Sequence, residues 1–209
     1  MPPRRIAAFD FDGTLTQRDT LLPFLVRTCG SRQVARAVSA VAPLAARARL
    51  GRLQSELHHR DAVKEALLAA LLRGREAAWF REAGADYART LPARIRPDMA
   101  EQVAWHREHG HELVIVSASL LTYLAPYASA ERFDHVIAVE MEVGADDRLT
   151  GRLASPNVRG PEKAVRLDAW LDGDHPEVVW AYGNSSGDTE LLERAHVPVW
   201  VGKAASRNA

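Results

Sequence analysis

Two aspartates two residues apart, Asp10 and Asp12, are followed at once by Gly13, Thr14, Leu15 and Thr16. Carboxylates at this spacing, beside a glycine, can converge on a hard cation through side-chain and main-chain oxygens. Mg²⁺ takes such ligands together with substrate phosphate. Other polar groups end apolar runs farther along. Ser117-Ala118-Ser119 follows Leu113 to Val116, and Asn184-Ser185-Ser186-Gly187-Asp188 follows Val178 to Gly183. Lys163, one of three lysines against 24 arginines, opens a predicted helix ahead of the last run. Taken singly, each has an ordinary explanation: a solvated acidic loop, a strand cap, a surface lysine. Their company is what points to one site, because open parallel sheets collect reactive groups at the carboxyl ends of their strands.

The elements that would position these groups alternate. Ile6 to Phe9, Leu113 to Val116, Val136 to Val139, Val178 to Tyr182 and Val197 to Val201 are short apolar runs expected as buried strands. Helical stretches are expected at about 120–129, 161–171 and 188–195, so the chain has the βα rhythm of a parallel α/β sheet. Arg148 to Leu153 is expected in a small hairpin. Residues 20–95 differ: Val63, Leu67, Ala70 and Leu71 share one helical face, and the whole stretch is expected to be all-helical. Pro43, Gly51, Gly74 and Gly84 are its candidate breaks, and Pro92 and Pro97 mark the return.

Length and composition fit one core plus a modest insertion. The chain has 209 residues, 47% apolar and 26% charged, which excludes a disordered, collagen-like or disulfide-stapled class. A single cysteine, Cys29, leaves no intrachain disulfide and suits a reducing compartment. The start reaches Asp10 too soon for a signal peptide, and no apolar stretch approaches the roughly 20 residues of a spanning helix. A cytoplasmic location is the expectation. Residues 20–95 carry 13 basic against 6 acidic side chains, and the remainder 14 against 21, so net charges of +7 and −7 cancel. No basic run is interleaved with aromatics, which argues against nucleic-acid binding. His58, His59, His106, His109 and His111 lack ligand spacing and are expected at the surface. No feature sets an oligomeric state.

Asp-Phe-Asp-Gly-Thr-Leu-Thr, Val-Ser-Ala-Ser, Lys163 and Gly-Asn-Ser-Ser-Gly-Asp-Thr-Glu-Leu-Leu, in this order and spacing, resemble the haloacid dehalogenase superfamily, and most closely its phosphoserine phosphatase-like branch. The likeness spans nearly the whole chain. It implies a Rossmann-like parallel α/β core formed by residues 1–19 and 96–209, with a small helical cap, residues 20–95, inserted after the first strand. It implies a Mg²⁺-dependent phosphatase in which Asp10 is the nucleophile forming an aspartyl-phosphate, and Asp12 the general acid and then base. Ser117, with the adjacent Ala118, would bind the phosphoryl group, and Lys163 would neutralise its charge. Asp10, Asp12, Asn184 and Asp188 would hold the metal. One position departs from the family: the residue after Gly183 is Asn184 where Asp is usual, so either Asp188 supplies the missing carboxylate or metal affinity is lower.

The substrate implied is a small soluble phosphomonoester such as phosphoserine or a related metabolite. Asp19 stands where that branch has a Glu that reads the substrate amino group, and Arg60 and Lys64 are candidates for pairing a substrate carboxylate. The alternative is a peripheral-membrane lipid phosphatase like those acting on phosphatidylglycerophosphate, because Arg27 to Arg52 is basic and amphipathic. A non-catalytic phosphate-binding protein is the third reading, motivated by Asn184.

Overall fold

The computed structural model describes residues 3–49 and 56–202, with the side chains of 45, 47–49 and 56–60 outside the description. Among the described residues, five parallel strands form one sheet in the order β3-β2-β1-β6-β7. They are β1 (Arg5–Phe9), β2 (Glu112–Leu120), β3 (His135–Val139), β6 (Val178–Gly183) and β7 (Val197–Trp200). Apolar continuity explains the placement of the central strands. Ile6, Ala7, Ala8 and Phe9 are buried on both faces of β1, as are Leu113 to Val116 on β2. Strand β1 is paired to β2 on one side and to β6 on the other, with Phe9 opposite both Ile115 and Tyr182. The chain fills one side of β1 first and the other side later, which opens a crevice at the carboxyl end of β1. The expected hairpin is present as β4 (Met141–Val143) against β5 (Leu149–Leu153), antiparallel.

Between Thr16 and Ile95 run four α-helices among the described residues, α1 (Leu21–Cys29), α2 (Ser31–Arg49), α3 (Glu56–Leu72) and α4 (Ala77–Ala88). The chain enters and leaves this insertion side by side. Thr16 and Ile95 form an antiparallel bridge, Gln17 N–H donates to Arg94, and Arg96 N–H donates to Leu15. Helices α5 (Pro97–Glu108), α6 (Leu121–Ala130), α7 (Pro161–Leu171) and α8 (Thr189–Arg194) belong to the α/β rhythm.

Two of the expected helix breaks are not breaks. Gly84 lies inside α4, where a β-carbon would fall 2.2 Å from the Thr122 carbonyl oxygen, so its role is the close approach of α4 to α6. Pro43 lies inside α2 on its exposed side, where water can satisfy the Ser39 carbonyl that loses its helical partner. Gly74 follows the end of α3 at φ +76°, and Gly51 lies outside the described residues. The expected surface placement of His106 and His111 is also corrected. Both are buried, with their Nδ1 atoms 2.8 Å apart and His106 Nε2 2.9 Å from the Tyr182 hydroxyl. Imidazoles pack here because both ring nitrogens of His106 and Nδ1 of His111 find partners, and the rings lie against Trp180 and Phe9. His109 is exposed, and the side chains of His58 and His59 lie outside the description.

Candidate active site

Asp10 follows β1 directly, its N–H still on the sheet ladder through the Tyr182 carbonyl at 2.9 Å. Its side chain is buried, with Oδ1 accepting from Lys163 Nζ at 2.6 Å and Oδ2 from the Thr14 hydroxyl at 2.8 Å. Lys163 sits in the first turn of α7, which begins with Pro161 at its first helical position. The same Nζ donates to Asp188 Oδ1 at 2.6 Å, so one buried ammonium bridges two carboxylates. Asp188 Oδ2 is occupied by the N–H groups of Asn184 and Ser185 and by the Ser185 hydroxyl, at 3.1, 2.9 and 3.0 Å. Those three bonds fold the turn after β6 and present Asn184.

Asp12 is held from the other side. Its Oδ1 accepts from the N–H and hydroxyl of Thr20, at 2.9 and 2.7 Å, and its Oδ2 accepts a short hydrogen bond from the Ser119 hydroxyl. Ser117 and Ser119 lie two apart at the end of β2, where the pairing with β3 shifts register, and the Ser119 N–H donates to Ser117 Oγ at 3.1 Å. A cleft of about 280 Å³ is lined by Asp10, Asp12, Asp19, Ser117, Ala118, Arg159, Lys163, Asn184, Ser185, Gly187 and Asp188. The structure therefore brings together every site residue expected from the sequence except Arg60, whose side chain lies outside the description. Asp19 is at the rim, but its Oδ1 accepts from the Leu21 and Leu22 N–H groups and caps α1.

The electrostatics follow from burial and crowding. Burial pushes the Asp10 carboxyl up, more than Lys163 brings it down, and the Asp188 charge adds to the rise. Burial also pushes Asp12 up, to about 7, with the charge of Asp19 helping and the Ser119 and Thr20 hydrogen bonds opposing. Burial alone would raise Asp188 and lower Lys163, but each charge favours the other and the pair stays ionised, with Asp188 down and Lys163 up. Among the described residues no three His, Cys, Asp or Glu side chains form a metal cage. A cation in the cleft would rest on mixed oxygen donors: the Asp10 carboxylate, the Asp12 main chain and the Asn184 amide. That donor set suits a hard divalent ion, and its charge would offset the burial and the Asp188 repulsion that raise Asp10.

Three groups at the site were given no role by the sequence analysis. Thr14 and Thr20 bind carboxylates from a turn and a helix start, and Ser119 could have been found from its place two residues after Ser117. Asn157 was also missed. It is buried, it accepts from Lys64 Nζ at 2.6 Å through Oδ1, and it donates to Asp61 Oδ1 at 2.5 Å through Nδ2. Lys64 is not placed as a side chain waiting in open solvent: it is half-buried beside the cleft.

The chain is similar to known proteins in sequence and in fold. The family of haloacid dehalogenase-like hydrolases matches residues 7–193. Protein CicA of Caulobacter vibrioides is 32% identical over 191 residues, covering 90% of this chain and 81% of its own. A phosphoserine phosphatase of Halobacterium salinarum is 28% identical over 201 residues, covering 94% and 85%. The crystal structure of a protein of unknown function from Bordetella pertussis Tohama I superposes with a TM-score of 0.69 at 29% identity, covering 92% and 87%.

Proposed function

We infer that this chain, which belongs to the haloacid dehalogenase-like hydrolases, hydrolyses phosphomonoesters of small soluble metabolites through a covalent phosphate on Asp10. The observation that carries this reading is Lys163 Nζ, 2.6 Å from both Asp10 and Asp188. A buried lysine there opposes the rise that burial imposes on the nucleophilic carboxylate and offers positive charge where phosphoryl oxygens would arrive. Asp188, with both oxygens already occupied, serves to fix Lys163 and the Asn184 turn. Asn184, rather than Asp188, then offers its side-chain oxygen to the metal.

In the reaction an Asp10 oxygen forms a bond to phosphorus while the ester P–O bond breaks. Asp12, whose carboxyl burial pushes up to about 7, gives its proton to the departing alkoxide. Water then attacks phosphorus, loses its proton to the Asp12 carboxylate, and releases inorganic phosphate and free Asp10. Ser117 donates to a phosphoryl oxygen. Asp10, the Asp12 main chain and Asn184 would hold Mg²⁺, which would supply charge neutralisation on the phosphoryl group. Helices α1 to α4 form a cap over the cleft within residues 20–95, and the +7 charge of that segment draws anionic substrates. Asp19 at the rim suits a substrate bearing a cation, such as an amino acid phosphate, and the named activity of the Halobacterium relative points the same way.

The test is phosphate release from phosphoserine, histidinol phosphate, sugar phosphates and nucleotides, with Mg²⁺ and with EDTA. Release that needs Mg²⁺ and disappears in Asp10→Asn supports the reading. Undiminished release in Asp10→Asn overturns it, and no release on any ester favours a phosphate binder. A second reading has its own observation. Leu22, Val26 and Val38 are 46%, 38% and 43% exposed on α1 and α2, and Arg27, Arg32 and Arg36 are exposed on the same helices. Such a surface suits an anionic membrane carrying a lipid phosphate. Salt-sensitive sedimentation with phosphatidylglycerol vesicles supports it, and no sedimentation removes it. No helix among the described residues is long and apolar enough to cross a membrane.

A further inference from the structure

Lys64 is the one cap lysine among the described residues, and its setting is unusual for an ammonium. It lies on α3, half-buried, and its Nζ donates to two neutral acceptors, the Ala118 carbonyl at 2.5 Å and Asn157 Oδ1 at 2.6 Å. Taking an ammonium from water for neutral partners is costly, and burial lowers its pKa to about 8. Asp61, one turn earlier on α3, holds the other end of the Asn157 amide at 2.5 Å. Two neighbouring side chains of the helix thus grip a buried core asparagine and a carbonyl of the strand end.

That carbonyl belongs to a peptide with a second task. The N–H of the same Ala118–Ser119 peptide donates to Ser117 Oγ at 3.1 Å. A hydroxyl that accepts this bond keeps its own proton for another acceptor, and Ser117 lines the cleft. An ammonium on the carbonyl polarises the peptide, strengthens the N–H as a donor and fixes its plane. The Ser119 hydroxyl, on the far side of the peptide, binds Asp12.

We propose that Lys64 is a positioning residue that acts on Ser117 through the Ala118–Ser119 peptide, so that the phosphoryl cradle is complete only while α3 is seated over the cleft. This rests on the phosphomonoesterase reading above. Seating is secured by the Asp61–Asn157–Lys64 bonds, which break if the helix lifts. Substrate closure and hydroxyl alignment are then one event.

The experiment is a double-mutant cycle in the full chain with p-nitrophenyl phosphate, whose leaving group needs no proton and so isolates the cradle. Lys64→Met and Ser117→Ala are each expected to lower kcat about 10- to 100-fold, the scale of a misplaced reacting group. KM is expected to change little, and the double variant to match Ser117→Ala within a factor of about two. Lys64→Arg, which keeps a donor, is expected to recover part of the loss. A Lys64→Met penalty as large in the Ser117→Ala background as in the wild type, or no penalty at all, overturns the proposal. The first of these outcomes would mean that Lys64 meets the substrate directly. The cycle is repeated in affinity for inorganic phosphate by calorimetry, with native melting curves required of each variant. If Asp10-dependent turnover is absent the functional reading fails, while the binding cycle still shows coupling or refutes it.

Discussion

A β-carbon placed on Gly13 would lie 2.1 Å from Nδ2 of Asn184, which packs directly over that glycine. Gly13 also has φ +79°, a region that other residues enter at a cost of roughly 1–2 kcal/mol. Gly13→Ala is therefore expected to push Asn184 away from Asp10. The far end of a side chain can yield, so the fold should survive with a small loss of stability. Activity should fall by far more than stability, and weaker Mg²⁺ dependence of rate should accompany it. Comparing the Mg²⁺ concentration for half-maximal rate in wild type and variant checks this; an unchanged value would separate Asn184 from the metal.

Asp12 is placed to give one proton and take another. In Asp12→Asn, alkyl phosphates should lose about 10²- to 10⁴-fold in kcat, the usual worth of a positioned proton donor. An aryl phosphate leaves without a proton, so its first step should be spared while hydrolysis of the covalent intermediate stalls. The expected signature is a burst of p-nitrophenol stoichiometric with enzyme, and a protein carrying one phosphoryl group by mass spectrometry. A slow rate without a burst would place Asp12 elsewhere in the mechanism.

The buried His106 makes stability pH-dependent. Burial, with the charges of His111 and His109 adding, lowers its pKa from 6.5 to about 4. The folded state therefore keeps it neutral while the unfolded chain binds a proton below 6.5. Its contribution is fully present above pH 6.5 and is lost as pH falls toward 4, amounting to at most about 3 kcal/mol. His111, lowered in the same direction by burial, adds to the loss. Urea midpoints should fall steadily over that window in wild type and more shallowly in His106→Gln. Parallel slopes would assign the acid sensitivity to other groups.

The carboxyl ends of the strands were legible because each buried strand is an unbroken apolar run and each run stops at a polar residue. Lys163 was legible by rarity. The partners of Asp12 were harder, since Ser119 is 107 residues away and nothing local marks Thr20 as a ligand. Gly84 and Pro43 misled because a glycine or proline has two uses. Only packing tells a break from a close approach, as Thr122 does for Gly84, and only exposure tells a tolerated proline from a disruptive one. The histidines misled for the opposite reason. Polar rings look like surface groups until Tyr182 and His111 are seen to satisfy them.

The bridge between Thr16 and Ile95 makes the two ends of the helical insertion neighbours. Whatever lies between these positions leaves and re-enters the sheet through one doorway. Lengthening, shortening or exchanging that segment would leave β1 and its aspartates in place, so long as the replacement again meets α6 and the β4–β5 hairpin. Apart from Thr20 and Lys64, which reach back to Asp12 and the end of β2, the insertion can be rewritten for a new substrate while the strand ends stay fixed.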